Sequence, residues 1–172
     1  LAFPIQNKAA LVSPTEDYNF KKLRQSKDLE AAASNLTNQE FPILLIIEDN
    51  ADVTYYLQTC LQHQYQILTS RNGKEGIEKA LETLPDLIIS DVMMPVMDGF
   101  EVCAALKENE RTSHIPIILL TAKATPEDKL TGLHQGADAY LIKPFEKAEL
   151  MIRLNNLLST RKNLQEKFSN EA

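Results

Sequence analysis

The chain has 172 residues, 44% of them hydrophobic, which suffices for one core of average domain size plus additional segments and falls short of two full domains. Its 18 Lys and Arg against 24 Asp and Glu leave a net charge of −6, which excludes a nucleic-acid surface on this segment because phosphate binding needs a basic patch. No apolar run approaches the roughly 20 residues of a membrane span and no charged-then-apolar signal segment opens the chain, so the expectation is a cytoplasmic location, compatible with a membrane-anchored parent.

The chain opens with Leu1-Ala2-Phe3-Pro4-Ile5, an apolar run with nothing local to pair with, which reads as the cut end of a strand from a longer upstream module. Ser13 to Glu40 are mostly Ser, Thr, Asn, Gln, Ala and charge, so residues 1–40 are expected to be linker with at most one weak helix. From Ile43 onward, short apolar runs alternate with helical patterns. The run Ile43–Ile47 is followed by Asn50, a candidate cap for a helix whose stripe is Val53, Tyr56, Leu57, Cys60 and Leu61. Gln66–Thr69 is the second run, and its helix carries Ile77, Ala80, Leu81 and Leu84 until Pro85 stops it. Asp86–Ile89 precedes a helix after Gly99, and Ile115–Leu120 precedes one after Thr125-Pro126. Ala139–Ile142 precedes a last helix from Glu146, whose face Leu154, Leu157, Arg161, Leu164 and Phe168 continues past Leu158.

Runs that are continuously apolar belong to strands covered on both faces, the mark of a parallel sheet between helix layers. Right-handed crossovers then favour an α/β doubly wound five-stranded sheet of order 2-1-3-4-5 over residues 41–160, with 161–172 as a helical extension or connector. Cys60 and Cys103 sit in apolar-periodic helices without metal-ligand spacing and are expected to be buried free thiols.

In that order strands 1 and 3 are neighbours at the topological switch, so whatever lies past their C-terminal ends shares a crevice. Strand 1 ends in Glu48-Asp49 and strand 3 in Ser90-Asp91. Three converging carboxylates repel one another, and a hard divalent cation with oxygen ligands is the usual remedy, Mg²⁺ fitting best. Thr121 closes strand 4, and Lys143 follows strand 5 just before Pro144. A hydroxyl and an ammonium add little to a metal site alone, but they suit a tetrahedral dianion attached to a carboxylate, here Asp91. The plainer alternative is that each acid merely solvates a strand end and Lys143 pairs one of them.

Four blocks carry a resemblance: Ile-Ile-Glu-Asp-Asn at 46–50, Asp-Val-Met-Met-Pro-Val-Met-Asp-Gly at 91–99, Leu-Thr-Ala-Lys at 120–123, and Gly-Ala-Asp-Ala-Tyr-Leu-Ile-Lys-Pro-Phe at 136–145. From about Ile43 to Leu158 the chain resembles the receiver domains of two-component response regulators, which implies a flavodoxin-like (βα)5 fold. The resemblance implies that Asp91 is the phosphoacceptor and that Asp49 and Asp91 ligate Mg²⁺ with the Met93 backbone carbonyl, Glu48 acting through water. It further implies that Thr121 hydrogen-bonds a phosphoryl oxygen, that Lys143 pairs with it, and that Tyr140 swings inward as Thr121 is drawn over. Gly99, Pro95 and Pro144 match shaping positions of the family, the Lys143-Pro144 bond expected cis. The implied donor is a phosphohistidine of a histidine kinase domain, and the domain would catalyse only its own phosphorylation. Slow hydrolysis is expected because Met93 and Lys123 flank the path of water and cannot activate it.

The tail resembles the connector in hybrid sensor kinases whose receiver precedes a helix-turn-helix output domain, and Leu1 to Ile5 resembles the closing strand of a kinase ATP-binding domain. A hybrid histidine kinase parent is therefore expected, with a stand-alone regulator as the alternative. In this family the face of the fourth helix, fifth strand and fifth helix often mediates partner or homodimer contacts, and here it would include Lys129, Tyr140, Lys147 and Arg153.

A phosphatase of the haloacid-dehalogenase type would need an acid two residues after its nucleophile, where Met93 stands. A phosphorylation-independent scaffold would be expected to lack one of the five site residues, and none is missing. Neither GxxxxGK nor GxGxxG follows any strand, against a nucleotide site. His63, His114 and His134 share no spacing that would make a phosphotransfer site, and Met93, Met94 and Met97 read as loop packing because Mg²⁺ avoids thioethers.

Overall fold

A computed structural model of the chain describes residues 40–122, 125–127, 130 and 134–170; the expected upstream strand and linker, and Lys123 and Lys129, lie outside the described residues. Five strands, β1 (Ile43–Ile47), β2 (Gln66–Ser70), β3 (Leu87–Asp91), β4 (Ile117–Thr121) and β5 (Ala139–Ile142), pair in parallel in the order β2-β1-β3-β4-β5. The expected α/β class and strand order are therefore those observed. Helices α1 (Ala51–Leu61), α2 (Gly73–Thr83), α3 (Gly99–Glu108) and α4 (Lys147–Asn170) are described in full. Of the helix expected after Thr125-Pro126, Pro126, Glu127, Leu130 and His134 are helical and the intervening positions lie outside the described residues.

The continuous apolar runs resolve into two packed faces. Leu45, Ile47, Ile88, Ile117 and Leu119 point to one side with Ala80, Val102, Cys103 and Leu106. Leu44, Ile46, Leu87, Ile89, Ile118, Leu120 and Leu141 point to the other, against Leu57, Leu61, Leu150 and Leu154. Successive strand residues alternate between the two clusters, as the pleat requires. Each such fully buried side chain contributes about 1.5–3 kcal/mol relative to exposure.

Local rules start and stop the helices. The Asn50 side chain accepts from the Asp52 and Val53 amides at 2.9 and 3.2 Å and begins α1. Asn72 accepts from the Glu75 amide at 2.8 Å to begin α2, and Asp98 with Glu101 closes a reciprocal capping box at α3.

Two stripes differ from their expected form. On α2, Leu84 is the left-handed cap at φ 47° and lies 40% exposed, while Gly73, Gly76 and Ala80 form the buried edge. A Cβ at Gly76 would stand 2.4 Å from Ile47 Cδ1, so the helix approaches β1 more closely than any side chain allows. On α1, Tyr56 turns outward to meet the Phe145 ring, centroids 6.0 Å apart.

Strand limits also shift. β4 begins at Ile117, two residues later than expected, because Ile115 closes a turn onto Thr112 and Pro116 has no amide to offer the ladder. Asp91, rather than Ile89, is the last residue of β3, which fixes its backbone beside Leu120.

Candidate functional site

β1 and β3 run in register to Ile47 opposite Ser90, so Glu48 and Asp91 emerge abreast at the same edge. Glu48, Asp49 and Asp91 each offer a carboxylate oxygen within 4.8 Å of the others. Glu48 and Asp91 are buried at 2% and 5% exposure, whereas Asp49 faces solvent. Two of the three carboxylates are therefore enclosed by protein and the third faces solvent.

Lys143, just past β5, reaches into this group. Its ammonium lies 2.9 Å from Glu48 Oε2 and 3.0 Å from Asp91 Oδ1. The Lys143-Pro144 bond is cis, and the Lys143 amide donates to the Thr121 carbonyl at 2.8 Å, tying the loop to the end of β4. Thr121, the last residue of β4, is buried beside Asp91's neighbour Leu120. Tyr140 sits half-buried on β5 against the cluster that contains Leu45 and Ile88.

Burial pushes the Glu48 carboxyl above its ordinary range; the hydrogen bonds from Lys143 and the Asn50 amide oppose that rise, and the Asp91 charge adds to it. For Lys143, burial pulls the ammonium down, but its hydrogen bonds to Glu48 and Asp91 and their charges outweigh this and hold it above the usual lysine range. The three carboxylates and one ammonium leave a formal charge of −2 on the cluster. One divalent cation neutralises it, and oxygen donors of this kind suit a small hard cation rather than a soft one.

Of the residues singled out in the sequence, Glu48, Asp49, Asp91 and Lys143 converge, Thr121 stands at the adjoining strand end, and Met93 follows β3 with its side chain 73% exposed. One contributor was not foreseen. The Asn50 amide donates to Glu48 Oε1 at 3.1 Å, so that carboxylate is held at both oxygens, by Asn50 and by Lys143. Asn50 was legible only as a helix cap, since nothing in a sequence says where a main-chain amide points. Gly99 approaches so closely that a Cβ there would lie 2.2 Å from the Asp91 carbonyl oxygen. Gly99 is one of the shaping positions that the family resemblance implies.

His63 and His114 fall in two separate turns and His134 in a helical stretch, so no two of them share an element. Both cysteines are free; Cys103 is buried, its thiol pushed up to about 11 by desolvation, while Cys60 is only half-buried because it sits at the edge of the α1 stripe.

A family model for the response regulator receiver domain matches residues 44–155. Histidine kinase P4 of Formosa agariphila is 42% identical over 143 residues, 83% of this chain and 10% of that protein, so the chain spans about a tenth of that relative's length. The signal receiver domain of a signal transduction histidine kinase from Syntrophus aciditrophicus shares the fold with a TM-score of 0.65 at 39% identity, over 69% of this chain and 91% of that one. The receiver domain of sensor histidine kinase PA1611 from Pseudomonas aeruginosa PAO1, solved with a magnesium ion coordinated in its active site cleft, has a TM-score of 0.65 at 29% identity, over 69% of this chain and 98% of that one. Agreement of family, relatives and fold over one continuous stretch establishes that this chain belongs to the response regulator receiver domains of two-component systems.

Proposed function

We propose that Asp91 accepts a phosphoryl group from the phosphohistidine of a histidine kinase domain, and that Lys143, Thr121 and Tyr140 read its arrival. The observation that carries this reading is the bridging position of Lys143, whose ammonium lies 3.0 Å from an Asp91 oxygen and 2.9 Å from Glu48.

An Asp91 carboxylate oxygen attacks the phosphorus in line, the phosphorus–nitrogen bond breaks, and the electron pair leaves with the donor imidazole. The attacking carboxylate carries no proton, so no general base is needed and positioning with charge neutralisation supplies the rate. Asp49, Asp91 and the Met93 carbonyl would hold Mg²⁺, with Glu48 acting through water, and the bound ion would supply positive charge to the phosphoryl oxygens. Lys143 contributes the protein's own positive charge on the other side, exchanging its Glu48 partner for a phosphoryl oxygen. Thr121, one strand over, donates its hydroxyl to another, and Tyr140 follows the space that Thr121 vacates. Met93, which follows the phosphorylated strand end, lacks a group that activates water, so the acyl phosphate is long-lived.

A hybrid histidine kinase is the parent this reading favours, because similarity to the Formosa kinase extends over 143 residues, beyond the stretch matched by the receiver family. A helix-turn-helix output downstream and a homodimer through Tyr140, Lys147 and Arg153, with Lys129, complete the proposal. No helix among the described residues is long and apolar enough to cross a membrane.

Intact-protein mass after incubation with Mg²⁺ and acetyl phosphate tests the reaction. One added phosphate, lost in Asp91→Asn and without Mg²⁺, supports it; no addition under any condition makes the chain a phosphorylation-independent scaffold.

A further inference from the structure

At the strand ends opposite those that carry the acidic cluster, two aspartates each do the same thing. Asp138 takes the Ile117 amide on Oδ2 at 2.8 Å, gives its own amide to the Ile117 carbonyl at 3.0 Å, and is neutralised by Lys107 of α3 at 2.9 Å. Asp86 likewise takes the Ile43 amide on Oδ2 at 2.8 Å and gives its own amide to the Ile43 carbonyl at 2.8 Å. Its cation, however, comes from the last helix: Arg161 Nη1 donates to the Asp86 carbonyl at 2.7 Å and approaches Oδ1 at 3.3 Å. One carboxylate thus meets the strand by which the chain enters the domain and the helix by which it leaves.

Leu157 and Leu158 still pack on the core, but the apolar cover thins beyond them. Leu150 and Leu154 are fully buried, but Leu164 and Phe168, further along the same face, are 51% and 71% exposed. Between this overhang and the sheet floor lies a cavity of about 710 Å³ reached by His114, Pro116 and Asp138. An isolated helical segment of this length is marginal in water. The Arg161 contact is itself incomplete. Its Oδ1 distance is longer than the ~2.7–2.9 Å of a strong charge-assisted bond, and its Nε is buried without a hydrogen-bond partner. An unpaired buried donor opposes the closed arrangement.

We propose that Asp86 and Arg161 form a releasable latch that fixes the direction in which α4 leaves the domain relative to the strand by which the chain enters it. The closed latch holds the last turns of α4 along the sheet floor and presents Leu164 and Phe168 in a set orientation. The open latch frees those turns without disturbing β1 or β3, whose ladder closes through main-chain bonds. For a receiver carried inside a longer chain, as proposed above, this links the segments on its two sides through a single residue pair.

Amide hydrogen exchange on the whole chain tests the latch, with Arg161→Met, which keeps the aliphatic stem, beside Asp86→Asn, which keeps the oxygen for Ile43. Arg161→Met is expected to speed exchange of residues 162–170 at least tenfold, leave the strands and Leu150 to Leu154 unchanged, and shift the Ile43 amide resonance; Asp86→Asn gives a smaller change of the same kind. Leu164→Ala is expected to leave exchange of this segment within about twofold of the parent. The proposal is overturned by unchanged exchange at 162–170, by an unmoved Ile43 resonance, by a loss of protection throughout the fold that would make Arg161 a general staple, or by Leu164→Ala matching Arg161→Met.

Discussion

Replacing Asp49 by Asn should stabilise the metal-free protein while removing its response to Mg²⁺. Asp49 is exposed and makes no ion pair among the described residues, yet its carboxylate lies within 4.8 Å of those of Glu48 and Asp91. Two like charges at that separation repel by about 1 kcal/mol in water and about 3.5 kcal/mol at an effective dielectric of 20. Because Asp49 is solvated, the water limit weighs more, and the Lys143 ammonium between Glu48 and Asp91 offsets one of the two repulsions, so the net gain is about 1 kcal/mol. Urea denaturation at neutral pH with chelator, and again with millimolar Mg²⁺, reads both effects. The parent should gain stability with Mg²⁺ as binding to the folded state requires, while the Asn variant starts higher and stays there. A variant less stable than the parent in chelator, or one that gains as much from Mg²⁺, would refute the idea that Asp49 is strained in the empty cluster and is a ligand.

Three further outcomes are expected. Gly99→Ala forces a Cβ to within 2.2 Å of the Asp91 carbonyl oxygen and 2.9 Å of the Val92 Cα, both backbone atoms; overpacking of this kind costs about 1–3 kcal/mol or more, seen as a lower urea midpoint, together with slower phosphorylation. His114 is held below the usual histidine value of 6.5 by burial and by the nearby charges of Arg161 and Lys107, so the unfolded chain takes up the proton first and stability is lost as pH falls below 6.5. Comparison of urea midpoints at neutral and mildly acidic pH should show a part of that loss missing in His114→Gln. In a native thiol-labelling experiment at mildly alkaline pH, Cys60 should react and Cys103 should not, since the latter is buried, donates to the Gln135 carbonyl at 3.3 Å and has a thiol pKa of about 11; equal labelling would contradict its burial.

The order of the sheet was legible because strands buried on both faces cannot alternate in polarity, and Ile43–Ile47 and Ile117–Leu120 therefore stand out as unbroken apolar runs. Glu48, Asp49, Asp91, Thr121 and Lys143 were legible for a related reason: each interrupts or follows such a run at its C-terminal end, where a parallel sheet delivers side chains to one crevice. What escaped the reading involves atoms that side-chain hydrophobicity does not encode. Gly73 and Gly76 form the buried edge of α2 because they lack a side chain, and Leu84 leaves that stripe because the helix closes on a left-handed residue. The Asn50 amide on Glu48 is a main-chain contact. The Asp86 to Arg161 pair spans 75 positions and joins residues that read separately as a strand start and as one member of the face that the last helix continues past Leu158.

The most direct measurement locates the acyl phosphate. The phosphorylated chain is reduced with borohydride, which converts an aspartyl phosphate to homoserine, and is then sequenced by tandem mass spectrometry. Homoserine at position 91, with Glu48 and Asp49 intact, is the result this account predicts; homoserine at position 49, or phosphate retained on a residue that borohydride does not reduce, would contradict it.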